Sequence, residues 1–189
     1  MALENGEKPG SSFVAVRKPN DCTILLLRLV AFLATLAATL VMALNKETKT
    51  LVVATIGTTP IKATLTAKFQ HTPANVFFVV ANAMASLHNL LMIIVQLCGG
   101  KFKDKGLRLV MMAILDMMTV ALLSSGDGAA TFMAHLAKKG NSHARWNKIC
   151  DKFDKFCDHG GGALIASYIG LLLLVVITVL SIIKLLKAK

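Results

Sequence analysis

Two charged residues stand inside long apolar runs. Arg28 lies in the run Thr23 to Leu44, and Asp116 lies in the run Leu107 to Met133. Three chemistries are open to such a pair. An arginine fork can grip a carboxylate through two parallel hydrogen bonds, so that each charge offsets the cost of burying the other. Alternatively, Arg28 can snorkel to headgroups while a protonated Asp116 bonds to Asn89. Third, Asp116 can hold an ion or relay a proton, because an ionisable group within a membrane span is a functional site by default. Helical rise puts Arg28 about 8 Å into its run and Asp116 about 13 Å into its own. The reach of arginine covers that difference if both runs start on the same side of a membrane. The preferred reading is a structural pair. With only Asp116 counted as an acid at depth, an ion path is a weaker reading, and the broken, repeated helices of transporters are not evident.

Other polar residues share this apolar setting. Asn82, Ser86 and Asn89 fall on one helical face and are expected to hydrogen-bond to other helices. The adjacent His88 reads as a packed polar residue, since a lone histidine without clustered partners makes a poor metal site. No metal, cofactor or nucleic-acid partner is expected. The catalytic signatures G-x-S-x-G, H-E-x-x-H and a phosphate-cradling glycine loop are absent, so the chain reads as non-enzymatic.

The elements that carry these residues follow from composition. The chain has 189 residues, 55% apolar and 16% charged, with a net charge of +11. Soluble domains average roughly 45–50% apolar and 25% charged. The excess of positive charge flanks apolar runs, which points to a lipid bilayer rather than to nucleic acid. A membrane helix needs about 20 mostly apolar residues, and four windows qualify: 23–44, 74–98, 107–133 and 163–186. The expected fold is therefore all-α, a four-helix membrane bundle. Residues 1–22 form a tail, 45–73 a first outer loop, 99–106 an inner turn, 134–162 a second outer loop and 187–189 the end.

Four spans put both termini on one side. Basic residues divide ten against ten between the two sides, but Lys101, Lys103, Lys105 and Arg108 crowd a short turn, which favours cytosolic termini. Cysteines agree with that choice. Cys22 and Cys98 end the first two spans on the inner side, where lipidation by palmitate is an option and unmodified thiols are the plainer one. Cys150 and Cys157 fall on the outer side, where disulfides persist.

The first outer loop has β-branched residues on both sides of Gly57 and Pro60, which predicts a hairpin. In the second outer loop Trp146, Ile149, Phe153 and Phe156 recur at helical spacing, which predicts a short amphipathic helix. That helix conflicts with a Cys150–Cys157 bridge. Seven helical rises span about 10 Å, and a disulfide needs Cα atoms within about 7 Å. The helix must therefore break before Cys157 or the bridge does not form. The bridge is the preferred reading over two separate buried thiols, with the turn expected at Gly160-Gly161-Gly162. Small residues also recur every fourth position: Ala31, Thr35, Thr39 and Ala43; Ala81 and Ala85; Ala163 with Ser167, and Ala166 with Gly170. Such ladders let helices approach closely, either within one bundle or between copies.

Together these residues carry a resemblance. Arg in the first span and Asp in the third, the run Phe77-Phe78-Val79-Val80-Ala81-Asn82 after Phe69-Gln70-His71-Thr72-Pro73, and Ala144-Arg145-Trp146-Asn147-Lys148-Ile149-Cys150 before Phe153 and Phe156-Cys157 resemble the plant Casparian strip membrane domain-like (CASP-like) family, which is related to the MARVEL proteins. The resemblance implies a plasma-membrane protein that forms homo- and hetero-oligomers, and a scaffold that recruits secreted wall-modifying enzymes. The strip-forming founders carry an acidic, Phe-rich signature near Leu-Pro-Phe-Phe in the first outer loop. Here that loop reads Thr55-Ile56-Gly57-Thr58-Thr59-Pro60, so the likeness is to the broader CASP-like group, its first subgroup.

Overall fold

Apolar runs of this length satisfy their backbone only as helices when no water is at hand. In the computed structural model, which describes residues 19–98 and 105–187, they form four: α1 (Pro19–Ala43), α2 (Pro73–Cys98), α3 (Lys105–Lys139) and α4 (Asp154–Lys187). All four are long and apolar enough to cross a membrane. Most of the expected tail, the turn residues 99–104 and the end at 188–189 lie outside the described residues.

α1 packs on α2 and α4, and α3 packs on the same two helices. The helices therefore follow one another around a ring in chain order, with α1 diagonal to α3 and α2 diagonal to α4. The interior alternates in layers. Ala31, Ala85, Leu123, Leu174 and Ile177 form one apolar layer. Ala38, Met42, Phe78, Ala130, Ala163 and Leu164 form another, nearer the α1–β1 end. Two polar layers interleave with these.

The small-residue ladders are largely consumed inside this bundle. Ala31, Thr35, Ala81, Ala85, Ala163, Ser167 and Gly170 are all buried. A Cβ placed on Gly170 would lie 2.7 Å from Thr35 Cγ2, and one on Gly126 would lie 2.9 Å from Ala81 Cβ. Glycine thus sets the α4–α1 and α3–α2 distances.

Between α1 and α2 the chain forms an antiparallel hairpin, β1 (Lys46–Ile56) and β2 (Thr59–Lys68). Its turn is tight, with Gly57 at φ +63°. Pro60 sits inside β2 opposite Thr55 rather than in the turn, and the register shifts once, between Val52 and Ala54. Thr48 faces Thr66 at 3.0 Å, and Thr50 faces Thr64 at 3.3 Å.

The second outer loop differs from its expected form. Residues Trp146 to Phe153 are not helical. Gly140, at φ +70°, ends α3, and Asn141 then pairs with Trp146 in a tight reversal. The Asn141 side chain accepts the amides of His143 and Ala144, which fixes the turn. Ile149 and Cys150 donate their amides back to the Ala137 carbonyl. Hydrogen bonds to these orphaned backbone groups override the helical spacing of the aromatics. Helix α4 starts at Asp154, so Gly160-Gly161-Gly162 lie within a helix and not at a turn.

Candidate functional site: two buried polar layers

The first polar layer is built on Arg28 of α1, His88 of α2 and Asp116 of α3. Arg28 Nη1 donates to Asp116 Oδ1 at 2.9 Å, and Nη2 donates to Oδ2 at 2.6 Å. Arg28 and Asp116 are both 0% exposed. This is the bidentate fork, with geometry that lets two buried charges offset one another's desolvation. Because α1 and α3 are diagonal, the pair crosses the middle of the bundle.

His88 completes the layer, with Nε2 at 2.7 Å from Asp116 Oδ1. Since the carboxylate already accepts two bonds from a cation, the ring must donate. The tautomer with its hydrogen on Nε2 makes the three-residue cluster electroneutral. The partner weighed for Asp116 from sequence, Asn89, turns back on its own helix and bonds the Ala85 carbonyl. His88, expected only as a packed polar residue, directly precedes Asn89 and is the one that makes the contact.

The second layer joins Asn82 of α2, Asp127 of α3 and Ser167 of α4. Ser167 Oγ lies 2.8 Å from Asn82 Oδ1 and 2.6 Å from Asp127 Oδ1. All three are 0% exposed. Here the expectation of a single deep acid gives way, because Asp127 is as buried as Asp116. The rule that marks any charged residue in a span would have found it. In the sequence it stands between Gly126 and Gly128, where it interrupts the third apolar run. Asn82 alone of its trio bonds across helices. Ser86 bonds the Ala83 carbonyl and Asn89 the Ala85 carbonyl, both within α2.

The hydrogen count of this layer is informative. Ser167 has one hydroxyl hydrogen and faces two oxygens. Asn82 already commits Nδ2 to the Phe78 carbonyl at 3.1 Å, which orients its amide. Ser167 Oγ is placed as donor to both oxygens, so one hydrogen serves two acceptors unless Asp127 carries a second. Among the described residues Asp127 forms no ion pair, unlike Asp116.

At the end of the bundle opposite Cys22 and Cys98, the hairpin is tied to α4. Phe156 donates its amide to Glu47 Oε2 at 2.8 Å, and its carbonyl accepts Asn45 Nδ2 at 2.7 Å. Lys49 bridges Glu47, at 3.0 Å, and Asp154. The Asp154 and Glu47 carboxylates hold the Lys49 ammonium above its usual range. Glu47 thus caps α4 from a distant strand, and no local pattern in the sequence could have announced it. Cys150 and Cys157 form a disulfide with Cα atoms 5.6 Å apart. The separation is short because α4 begins between them, at Asp154. Cys22 and Cys98 are exposed thiols at the opposite end.

These features can be set beside known proteins. A model of the Casparian strip membrane protein domain matches residues 17–173. The chain belongs to this family. CASP-like protein 1B1 of Populus trichocarpa is 69% identical over 187 residues, covering 98% of this chain and 96% of the relative. CASP-like protein 1B1 of Glycine max is 62% identical over 190 residues, with 99% and 98% covered. CASP-like protein 1B1 of Arabidopsis thaliana is 58% identical over 173 residues, with 91% and 88% covered. No solved structure matches the chain. This CASP-like chain is a membrane protein with four candidate spans, and both polar layers lie within the region the family model covers.

Proposed function

We propose that this CASP-like protein is a non-enzymatic scaffold of the plasma membrane. It assembles laterally with copies of itself and with related family members, and so organises local modification of the cell wall by secreted enzymes. In this reading both termini are cytosolic, and the hairpin and the disulfide loop face the wall.

The observation that carries the reading is the Arg28–Asp116 fork. Both carboxylate oxygens accept hydrogen bonds from one guanidinium, and neither residue meets solvent. An acid engaged in this way secures the bundle and has little capacity left for a passing ion. The competing reading, with Asp116 as an ion or proton site, draws on the His88 contact, because that side chain is 12% exposed. Family membership supports the scaffold.

Assembly must use surfaces other than the small-residue ladders, since the bundle itself consumes those. The outward apolar faces and the two-stranded hairpin remain. A hairpin of two strands is marginal on its own and has both edges unpaired.

The test is subunit counting of a fluorescent fusion in plant membranes at low expression, together with crosslinking and identification of neighbours. Multi-step bleaching with related chains among the neighbours is the expected result. Single-step bleaching at every density would overturn the scaffold reading. Proton or ion flux in vesicles, abolished by Asp116→Asn while the protein stays folded, would establish the transport reading in its place.

A further inference from the structure

Three consecutive glycines are an expensive choice inside a helix, because glycine disfavours helix more than any residue but proline. Gly160, Gly161 and Gly162 occupy the third turn of α4. Packing demands none of them: a Cβ on Gly160 would make only ordinary contacts with Asn45 and Met42, and one on Gly161 or Gly162 would meet nothing within 4 Å. What their missing side chains leave is space.

That space is a cavity of about 700 Å³ at the hairpin end of the bundle, between α3, the start of α4 and the disulfide loop. Its size falls in the ~300–1,000 Å³ range of small-ligand sites. The floor is apolar, with Met133, Ala134, Leu164 and Ile165. The rim is not. Lys138, Asp158 and Trp146 share it with Asp154, which Lys49 already engages, and among the described residues neither Lys138 nor Asp158 forms an ion pair. Trp146 and Ile165 are both largely exposed, at 55% and 66%, which opens the cavity toward the surroundings of the bundle.

We propose that this cavity binds one zwitterionic phospholipid from the leaflet at the hairpin end. Its acyl chain lies along the glycine-lined floor, and Lys138 takes the phosphate. Asp158 and the face of Trp146 take the quaternary ammonium, using charge and cation–π attraction. One spare cation, one spare anion and one aromatic face on a common rim match a headgroup that carries both signs. An anionic lipid would leave Asp158 opposed to it. A tryptophan at a helix-end loop also sits at the headgroup level that such a lipid occupies. The lipid would then contact α3, α4 and the loop together. This inference stands apart from the scaffold reading and holds whether or not copies assemble.

The test uses the full-length protein purified in mild detergent and reconstituted with phosphatidylcholine carrying a photoreactive acyl chain. The cavity variant is Gly161→Leu/Gly162→Leu. The control is Gly128→Leu, which adds the same side chain at another helical glycine with open space around it and outside the cavity. Native mass spectrometry and peptide mapping supply the readout. The expected result is one retained phosphatidylcholine per chain, with photolabel on 133–138 and 161–165. Labelling should fall at least tenfold in the cavity variant and stay unchanged in the control. Asp158→Ala should shift the preference toward phosphatidylglycerol. Equal labelling in cavity variant and control, or label spread over all lipid-facing helices, would overturn the site. Retention indifferent to headgroup in both the native chain and Asp158→Ala would overturn the zwitterionic assignment. A folded cavity variant, judged by its circular dichroism and elution volume, keeps loss of label distinct from loss of structure.

Discussion

Arg28 and Asp116 meet across the diagonal of the bundle, from two helices that are not neighbours in the ring. The contact passes between α2 and α4 and so fixes the height of α1 relative to α3. Removing one partner leaves the other charge buried and alone, which costs about 3–5 kcal/mol. Asp116→Asn is therefore expected to unfold or aggregate at much lower temperature, as read by thermal melts in detergent. The double variant Arg28→Gln/Asp116→Asn should recover a large part of that loss, so that it costs well below the sum of the two single changes. Arg28→Lys should fall between, because an ammonium cannot reproduce the two parallel bonds.

Asp127 responds differently because it has no cation beside it. If it enters its layer as a neutral hydrogen donor to Ser167, an asparagine amide can make the same bond. Asp127→Asn is expected to stay within about 1 kcal/mol of the native chain, in keeping with the modest worth of single hydrogen bonds between membrane helices. Asp127→Leu leaves Ser167 and Asn82 short of a partner and should cost more. Unfolding of the two asparagine variants side by side, Asp116→Asn against Asp127→Asn, checks the contrast. Equal damage from both would mean that Asp127 is ionised.

Four helices and a hairpin were legible in the sequence because both rest on local pattern. Twenty apolar residues dictate a membrane helix, and β-branched runs around Gly57 dictate a hairpin. The diagonal pair was also legible, since depth and side-chain reach are arithmetic. His88 was harder, because depth does not separate it from Asn89 and only the rotation of α2 about its axis does so. Asp127 escaped for a different reason: Gly126 and Gly128 made it look like a break in the apolar run, whereas Gly126 marks a close approach to α2. The disulfide loop was the least legible. The aromatic spacing around Trp146 is helical, but Gly140 and the Asn141 turn impose a reversal that spacing cannot report.

Close approach gives a prediction of its own. A methyl on Gly170 collides with Thr35 Cγ2 in the α4–α1 interface, and overpacking of this kind costs about 1–3 kcal/mol. Gly170→Ala should lower the melting temperature. Adding Thr35→Ser removes the colliding methyl and keeps the hydroxyl that bonds the Ala31 carbonyl. The double variant should therefore melt close to the native chain, and failure of the serine to rescue would place the damage elsewhere.

The disulfide closes a short loop between α3 and α4. On the chain-entropy model a loop of this size contributes about 2–3 kcal/mol. Cys150→Ser/Cys157→Ser should lower stability by that order, while Cys22→Ser/Cys98→Ser should leave it unchanged, because both of those thiols are exposed. Maleimide labelling before and after reduction should count two reactive thiols and then four.

The hairpin has few anchors: Asn45 at its start, 4% exposed, and within the strands Glu47, 9% exposed. It accepts the Phe156 amide in the first turn of α4, where a carboxylate also complements the helix dipole. A lost N-terminal cap costs about 0.5–2 kcal/mol. That cost should fall on the hairpin rather than on the bundle, since the strands touch the helices chiefly through this site. Glu47→Ala is expected to raise hydrogen exchange across Lys46–Lys68 and the first turn of α4, with little change in the melting of the four helices. Glu47→Gln keeps an acceptor oxygen and should show a smaller effect, from loss of the Lys49 partner alone. Exchange that rises equally throughout the bundle would mean that the hairpin supports the whole fold, and the outer ends of α1 and α4 would then depend on it.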